Sequence, residues 1–195
     1  MIWRIEIKDR PGIFDAAGDS VLKDILDCGI HSVKEVNLIQ VYLIEGEIQE
    51  GAARAIASEL LVDSVVQDYS IFSEKTILSQ PYSGGRTVEI AYNPGVMDPV
   101  EESTLKGIRD LGISPVSAVR TSRKYLLHGH PTEKEFDFII NKVLMNKLIQ
   151  HAVSDPKAQF KSLSMGSSKH RGVDLVQVNL LGADDKKLLK ISQEG

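Results

Sequence analysis

Few side chains in this chain have the type and spacing for chemistry. His128-Gly129-His130 places two imidazoles close together, with Glu133 nearby. Protein zinc sites take three or four ligands at set spacings, so two histidines without a third read as an ordinary strand end. His31, His151 and His170 lie apart and form no constellation. Cys28 has no neighbouring base to activate it. It falls on the apolar stripe of a predicted helix and reads as a small buried hydrophobe. Ser83-Gly84-Gly85-Arg86 lacks the later Gly-Lys-Ser/Thr of a phosphate loop and precedes a strand, not a helix. Ser164-Met165-Gly166-Ser167-Ser168 has no strand feeding it, as a nucleophile elbow needs. Glu101-Glu102 and Asp184-Asp185 stand at predicted helix starts, where the dipole favours solvated carboxylates.

What remains is the basic run Arg120-Thr121-Ser122-Arg123-Lys124, followed by Tyr125. Such a run reads as an exposed strand edge guarded by charge. It is also the best candidate for meeting a phosphate or an acidic partner surface. Arg120, Arg123, Lys124 and Tyr125 are therefore the expected interface residues. No catalytic, cofactor-binding or metal-ligating residue is expected.

The totals point the same way. A chain of 195 residues has room for one or two domains. With 42% hydrophobic and 26% charged residues it has an ordinary globular composition. A net charge of -4 and a pI of about 5.7 lack the basic footprint of a nucleic-acid binder. No apolar run approaches the roughly 20 residues of a membrane helix. Met1-Ile2-Trp3-Arg4-Ile5-Glu6 carries charges within its apolar run and is no signal peptide. One cysteine cannot close an internal disulfide, which fits a reducing cytoplasm.

The elements that position these residues come in two sets. Arg10-Pro11-Gly12-Ile13-Phe14-Asp15 and Asn93-Pro94-Gly95-Val96-Met97-Asp98 stand 83 residues apart. At the same offset Glu6 matches Glu89, Ile25 matches Ile108, and Gly29 matches Gly112. Tyr42 matches Tyr125, and Gln67 matches Gln150. No gap is needed, and a repeat of this kind fixes the architecture. In the first copy, Trp3, Ile5 and Ile7 alternate with Arg4, Glu6 and Lys8, a half-buried strand. Pro11-Gly12 ends it, Asp15 stands at a helix N-cap, and Ala17, Val21, Leu22, Ile25 and Cys28 form an apolar stripe. Val33–Leu38 and Val41–Glu47 read as two strands with a turn near Ile39-Gln40. Residues 50–61 read as a second helix and Val65–Ile71 as a last strand. Val88, Ile90 and Tyr92, then Val100, Thr104, Ile108 and Leu111, then Phe136, Ile139, Ile140, Val143 and Leu144 repeat the course.

This predicts an α+β chain of two tandem ferredoxin-like β-α-β-β-α-β units, residues 1–72 and 87–153, forming a pseudo-dimer. Each alone buries a modest core and leaves a sheet face to cover. Residues 73–86 read as a linker and 154–195 as an extended tail. In that tail 155–171 is polar, Val173–Leu181 reads as a strand and Asp184–Ile191 as a helix start. An end of this kind suggests an interrupted polypeptide.

Pro94-Gly95-Val96-Met97-Asp98, Leu111-Gly112, Val116 with Val119, Lys124-Tyr125-Leu126, and Leu144 with Asn146 and Leu148-Ile149-Gln150 follow one another in an order that resembles a family. It is the small (PurS) subunit of phosphoribosylformylglycinamidine synthase. The first copy matches less fully, with Cys28-Gly29, Val41-Tyr42 and Asp63 at the corresponding places. The tail is similar to the segment that opens the synthetase subunit, as in long fused synthetases. The resemblance implies a non-catalytic role in purine biosynthesis, bridging synthetase and glutaminase while ammonia passes between them. ATP and magnesium belong to the complete synthetase, and this chain holds no cofactor of its own. The implied partners are the synthetase catalytic part, in the same polypeptide, and the glutaminase, with a homo-oligomer also compatible. Neither nucleic acid nor membrane is implied, and the place of action is the cytoplasm. Asp9-Arg10-Pro11-Gly12 also resembles the opening turn of ACT domains, so a tandem regulatory module binding an amino acid is the alternative. Against it, the second copy reads Tyr92-Asn93-Pro94-Gly95.

Overall fold

The computed structural model describes residues 1–79, 86–154 and 184–194. Residues 1–164 group into one compact unit and 165–195 into another. The first unit opens with β1 (Ile2–Asp9), the strand its alternation predicts. Arg10-Pro11-Gly12-Ile13 then reverses the chain. Gly12 has φ 88° and the Ile13 N–H donates to the Arg10 carbonyl at 3.0 Å. Pro second and Gly third is the arrangement of a type II turn. Asp15 starts α1 (Ala16–Asp27), its Oδ1 accepting from the Gly18 N–H at 2.7 Å. Then follow β2 (Val33–Gly46), α2 (Glu50–Ala55) widening into a π-helical turn over Ile56–Leu61, and β3 (Gln67–Ser73).

The order returns in β4 (Arg86–Tyr92), α4 (Pro99–Asp110), β5 (Val116–Gly129), α5 (Glu133–Ile139) with its π-helical turn Ile140–Leu144, and β6 (Gln150–Ala152). Gly95 repeats the φ of 88°, and Val96 N–H donates to the Asn93 carbonyl. Between the two sets lies α3 (Glu74–Ser79). The linker expected at 73–86 therefore begins as a helix, because the Ser73 Oγ accepts from the Thr76 N–H and caps it. In the second unit α6 (Asp185–Glu194) starts where the Asp184 Oδ1 accepts from the Lys187 N–H. The polar stretch 155–171 and the strand expected at Val173–Leu181 lie outside the described residues. Among the described residues no helix is long and apolar enough to cross a membrane.

The six strands among the described residues form one sheet in the order β3-β1-β2-β5-β4-β6, with each of their pairings antiparallel. The main departure from expectation is β2. Two strands and a turn near Ile39-Gln40 were expected, and one strand of 14 residues is found. Nothing at Ile39-Gln40 enforces a turn, since neither Gly, Pro, Asn nor Asp is there. Pairing with β5 instead runs unbroken through it, from Glu35↔His128 to Glu45↔Ala118.

The straight strand rearranges the cores. One cluster joins Trp3, Ile5, Ile7, Tyr42 and Ile56 to Ile108 and Val119 of the later set. The other joins Ile25, Val33 and Val36 of the earlier set to Val88, Ile90, Tyr125 and Ile139. Each first helix thus packs over the long strand of its own set and over strands of the other set as well. The core is composite, where two units with a modest core each, packed as a pseudo-dimer, were expected. Within the stripes, Ile25 and Ile108 are fully buried, whereas Val100 and Leu111 are exposed. Cys28 is exposed and not buried as expected. Helix α1 stops at Asp27, so Cys28 leaves the helical spacing before it can face the core.

The turn at Gly95 gives a direct test. No heavy atom lies within 4 Å of a Cβ built there, so sterics are no obstacle. The cost of a side chain is the left-handed dihedral, about 1–2 kcal/mol. Gly95→Val is expected to lower stability by about that amount in urea unfolding. An unchanged midpoint would remove the turn from the account.

Candidate functional site

The side chains that carried catalytic possibilities stay apart. The His128 Nε2 meets the Asn37 Oδ1 at 2.7 Å at an exposed position. His130 is exposed, and its backbone N–H reaches the Ser32 carbonyl. His151 pairs through Nδ1 with the Asn93 Oδ1 at 3.0 Å. Among the described residues no three His, Cys, Asp or Glu side chains could hold a metal. His170 and the stretch Ser164–Ser168 lie outside the described residues.

A buried polar network crosses the middle of the sheet. Arg4 on β1 grips Glu89 on β4 through Nη2–Oε2 at 2.7 Å and Nη1–Oε1 at 3.3 Å. The Arg4 Nε also donates to the Glu6 Oε1 at 2.8 Å. Ser122 Oγ donates to the Glu89 Oε1 at 2.5 Å, and Lys124 Nζ reaches both Glu6 oxygens at 3.2 and 3.3 Å. Glu89 is 0% exposed and Arg4 4%. Burial alone lowers the Arg4 pKa, but the carboxylates of Glu89 and Glu6 outweigh it and raise the value. The alternation of β1 placed Arg4 and Glu6 toward solvent. Arg4 is buried and Glu6 half-buried instead, and each is paired with a residue from the other set of strands.

The basic run is not at an edge. β5 has β2 on one side and β4 on the other, so its charges do not guard a free edge. Arg120 pairs with Glu101 at the start of α4. Lys124 is taken up by Glu6, and Tyr125 is buried in a core cluster. Of the four expected interface residues, only Arg123 is exposed with no polar partner among the described residues. It faces Gln40 in the β2–β5 register and shares its side of the sheet with Thr121 and Tyr125.

The two turns frame this spot. Asp15 sends its Oδ2 to the Leu38 N–H at 2.7 Å, two residues from Gln40. Asp98 caps α4 through Val100 N–H and accepts from the Thr121 hydroxyl, two residues from Arg123. Tyr42 donates its hydroxyl to the Gln40 Oε1, and burial followed by Asp98 pushes the phenol pKa up. Phe14 and Met97, each just before one of these aspartates, are 71% and 79% exposed. Sequence reading named Arg123 but missed both apolar neighbours. Their signal was available, since two large apolar residues occupy matched places in turns.

Comparison with known proteins adds the following. A profile of the family described as PurS, phosphoribosylformylglycinamidine (FGAM) synthase, matches residues 2–75. The phosphoribosylformylglycinamidine synthase subunit PurS of Archaeoglobus fulgidus is 36% identical over 76 residues, 36% of this chain and 95% of that relative. The short motifs had placed the fuller likeness in residues 87–153, and the profile falls on the earlier set instead. Motifs such as Lys124-Tyr125-Leu126 weigh only a few positions, while a profile weighs every strand and helix face.

Proposed function

Because the chain belongs to the PurS small-subunit family of phosphoribosylformylglycinamidine synthases, we propose that residues 1–153 are two tandem small-subunit copies acting as a pseudo-dimer. Their task is to hold synthetase and glutaminase together and to help ammonia pass between them, in the cytoplasm. The amidation itself, with its ATP and magnesium, belongs to the synthetase.

The observation that carries this reading is the β2–β5 register. Gln40 faces Arg123, and these two residues are themselves 83 apart. The sequence offset and the strand pairing therefore share one centre, as a two-fold relation between copies requires. Matched residues also repeat their roles. Gln67 and Gln150 accept through Oε1 from the N–H of Asp63 and Asn146, closing equivalent turns. Asp15 and Asp98 each cap a helix and reach across to the strand beside it.

The test is reconstitution with the purified synthetase and glutaminase polypeptides of the enzyme. Glutamine-dependent synthesis is expected to need this chain, whereas synthesis from added ammonium is expected to proceed without it. The chain alone is expected to show no turnover. Glutamine-dependent synthesis at the same rate without the chain would remove the bridging role.

A further inference from the structure

We infer that the surface around Arg123 is a docking point for an acidic protein segment with apolar residues beside its carboxylate. This rests on the bridging role above and names the chemistry of one contact.

Four observations converge. Arg123 is the one cation of its run left exposed without a polar partner among the described residues, while Arg120 and Lys124 are neutralised internally. The copy-one residues matching Arg120, Arg123 and Lys124 are Asn37, Gln40 and Val41, so the cation belongs to the second copy alone. Gln40 beside it accepts from Tyr42 through Oε1. Its amide nitrogen has no partner among the described residues and remains a donor. Exposed Phe14 and Met97 stand at the two turns that frame the spot.

A guanidinium matches a carboxylate in a planar, two-pronged contact, and an amide donor next to it adds to the grip. Aromatic residues, Met and Arg are the types enriched where protein surfaces meet. Charge complementarity thus names the occupant. Asp15 and Asp98 do not supply that carboxylate, because each is held by two donors of its own. The same surface suits a partner approaching along the two-fold direction, since Phe14 and Met97 flank it from matched positions.

The experiment uses the full chain and calorimetric titration with the purified glutaminase and, separately, the purified synthetase polypeptide. Binding to at least one is expected. Arg123→Ala is expected to weaken it about tenfold or more and Arg123→Glu to remove it, in the range seen when one member of an interfacial charge pair is lost. Arg123→Lys is expected to keep more affinity than Arg123→Ala. Phe14→Ser with Met97→Ser is expected to weaken binding as well. The wild-type affinity is expected to fall with added salt and that of Arg123→Ala to fall less. Thermal unfolding of each variant should match wild type, because the side chains are exposed. If wild type binds a partner and Arg123→Glu binds equally well, this inference is wrong and the bridging role stands. If wild type binds neither polypeptide, both are wrong. Saturable binding of free glutamate or inorganic phosphate, abolished by Arg123→Ala, would replace the protein segment with a small anion.

Discussion

Residues 1–79 and 86–154, prepared as two polypeptides, are expected to stay unfolded as monomers and to fold together on mixing. The expectation comes from how the cores are built. The cluster under Trp3, Ile5, Ile7 and Tyr42 is closed by Ile108 and Val119, which only the second polypeptide supplies. The cluster under Val88, Ile90 and Tyr125 is closed by Ile25, Val33 and Val36, which only the first supplies. Separated, α1 keeps Val33 and Val36 of β2 but loses Val88, Ile90 and Tyr125, and β2 loses the partner it holds along most of its length. Ile25 and Ile108 are fully buried, and emptying such a site costs about 2–5 kcal/mol even for a single Ile→Ala change. Removing the whole complementary set exceeds the 5–15 kcal/mol that typically stabilises a domain. Circular dichroism and size-exclusion chromatography of each piece, alone and mixed, give the answer. A folded, monomeric 1–79 or 86–154 would contradict the composite core.

The second large effect concerns Glu89. Glu89→Leu is expected to cost about 3–5 kcal/mol, the range for removing one member of a buried ion pair. Arg4 keeps Glu6 at 2.8 Å but loses both contacts that neutralise its outer nitrogens. Ser122 loses its acceptor at the same time. Arg4→Met combined with Glu89→Leu is expected to recover most of the loss, because a buried pair replaced by apolar groups is often close to neutral. Urea unfolding of the four proteins in a double-mutant cycle measures the coupling directly. Additive losses in the double variant would show that the pair is not coupled as the geometry states.

The local features of this fold were legible because their causes are local. Pro11-Gly12 and Pro94-Gly95 announce turns, and both glycines take φ 88°. Asp15 and Asp98 sit before apolar stripes, and both cap helices. The 83-residue offset between these matched turns is itself plain in the spacing. What misled is non-local. Arg4 alternates with Trp3 and Ile5 as a solvent-facing residue would, and its partner lies 85 residues on. The run from Arg120 to Lys124 has the charge density of an edge strand, yet it is central, because Glu101 and Glu6 answer two of its charges. The run from Val33 to Glu47 reads as two strands with a turn near Ile39-Gln40, but it is a single strand. No residue in it opposes a straight strand, and pairing with β5 decides the matter. For the candidate surface, the sequence held Arg123 but not the reason it differs from Arg120 and Lys124, which is who pairs with whom.

The uninterrupted β2 also shapes how the protein is made. Val33–Gly46 has β1 on one side and finds its other neighbour only in Val116–Gly129, so the central pairing joins residues about 80 positions apart. At roughly 5–20 residues per second, a ribosome takes several seconds to deliver the second strand after the first. Throughout that interval the nascent chain carries a long apolar ribbon with one flank unsatisfied, the species most prone to clump with its neighbours on a polysome.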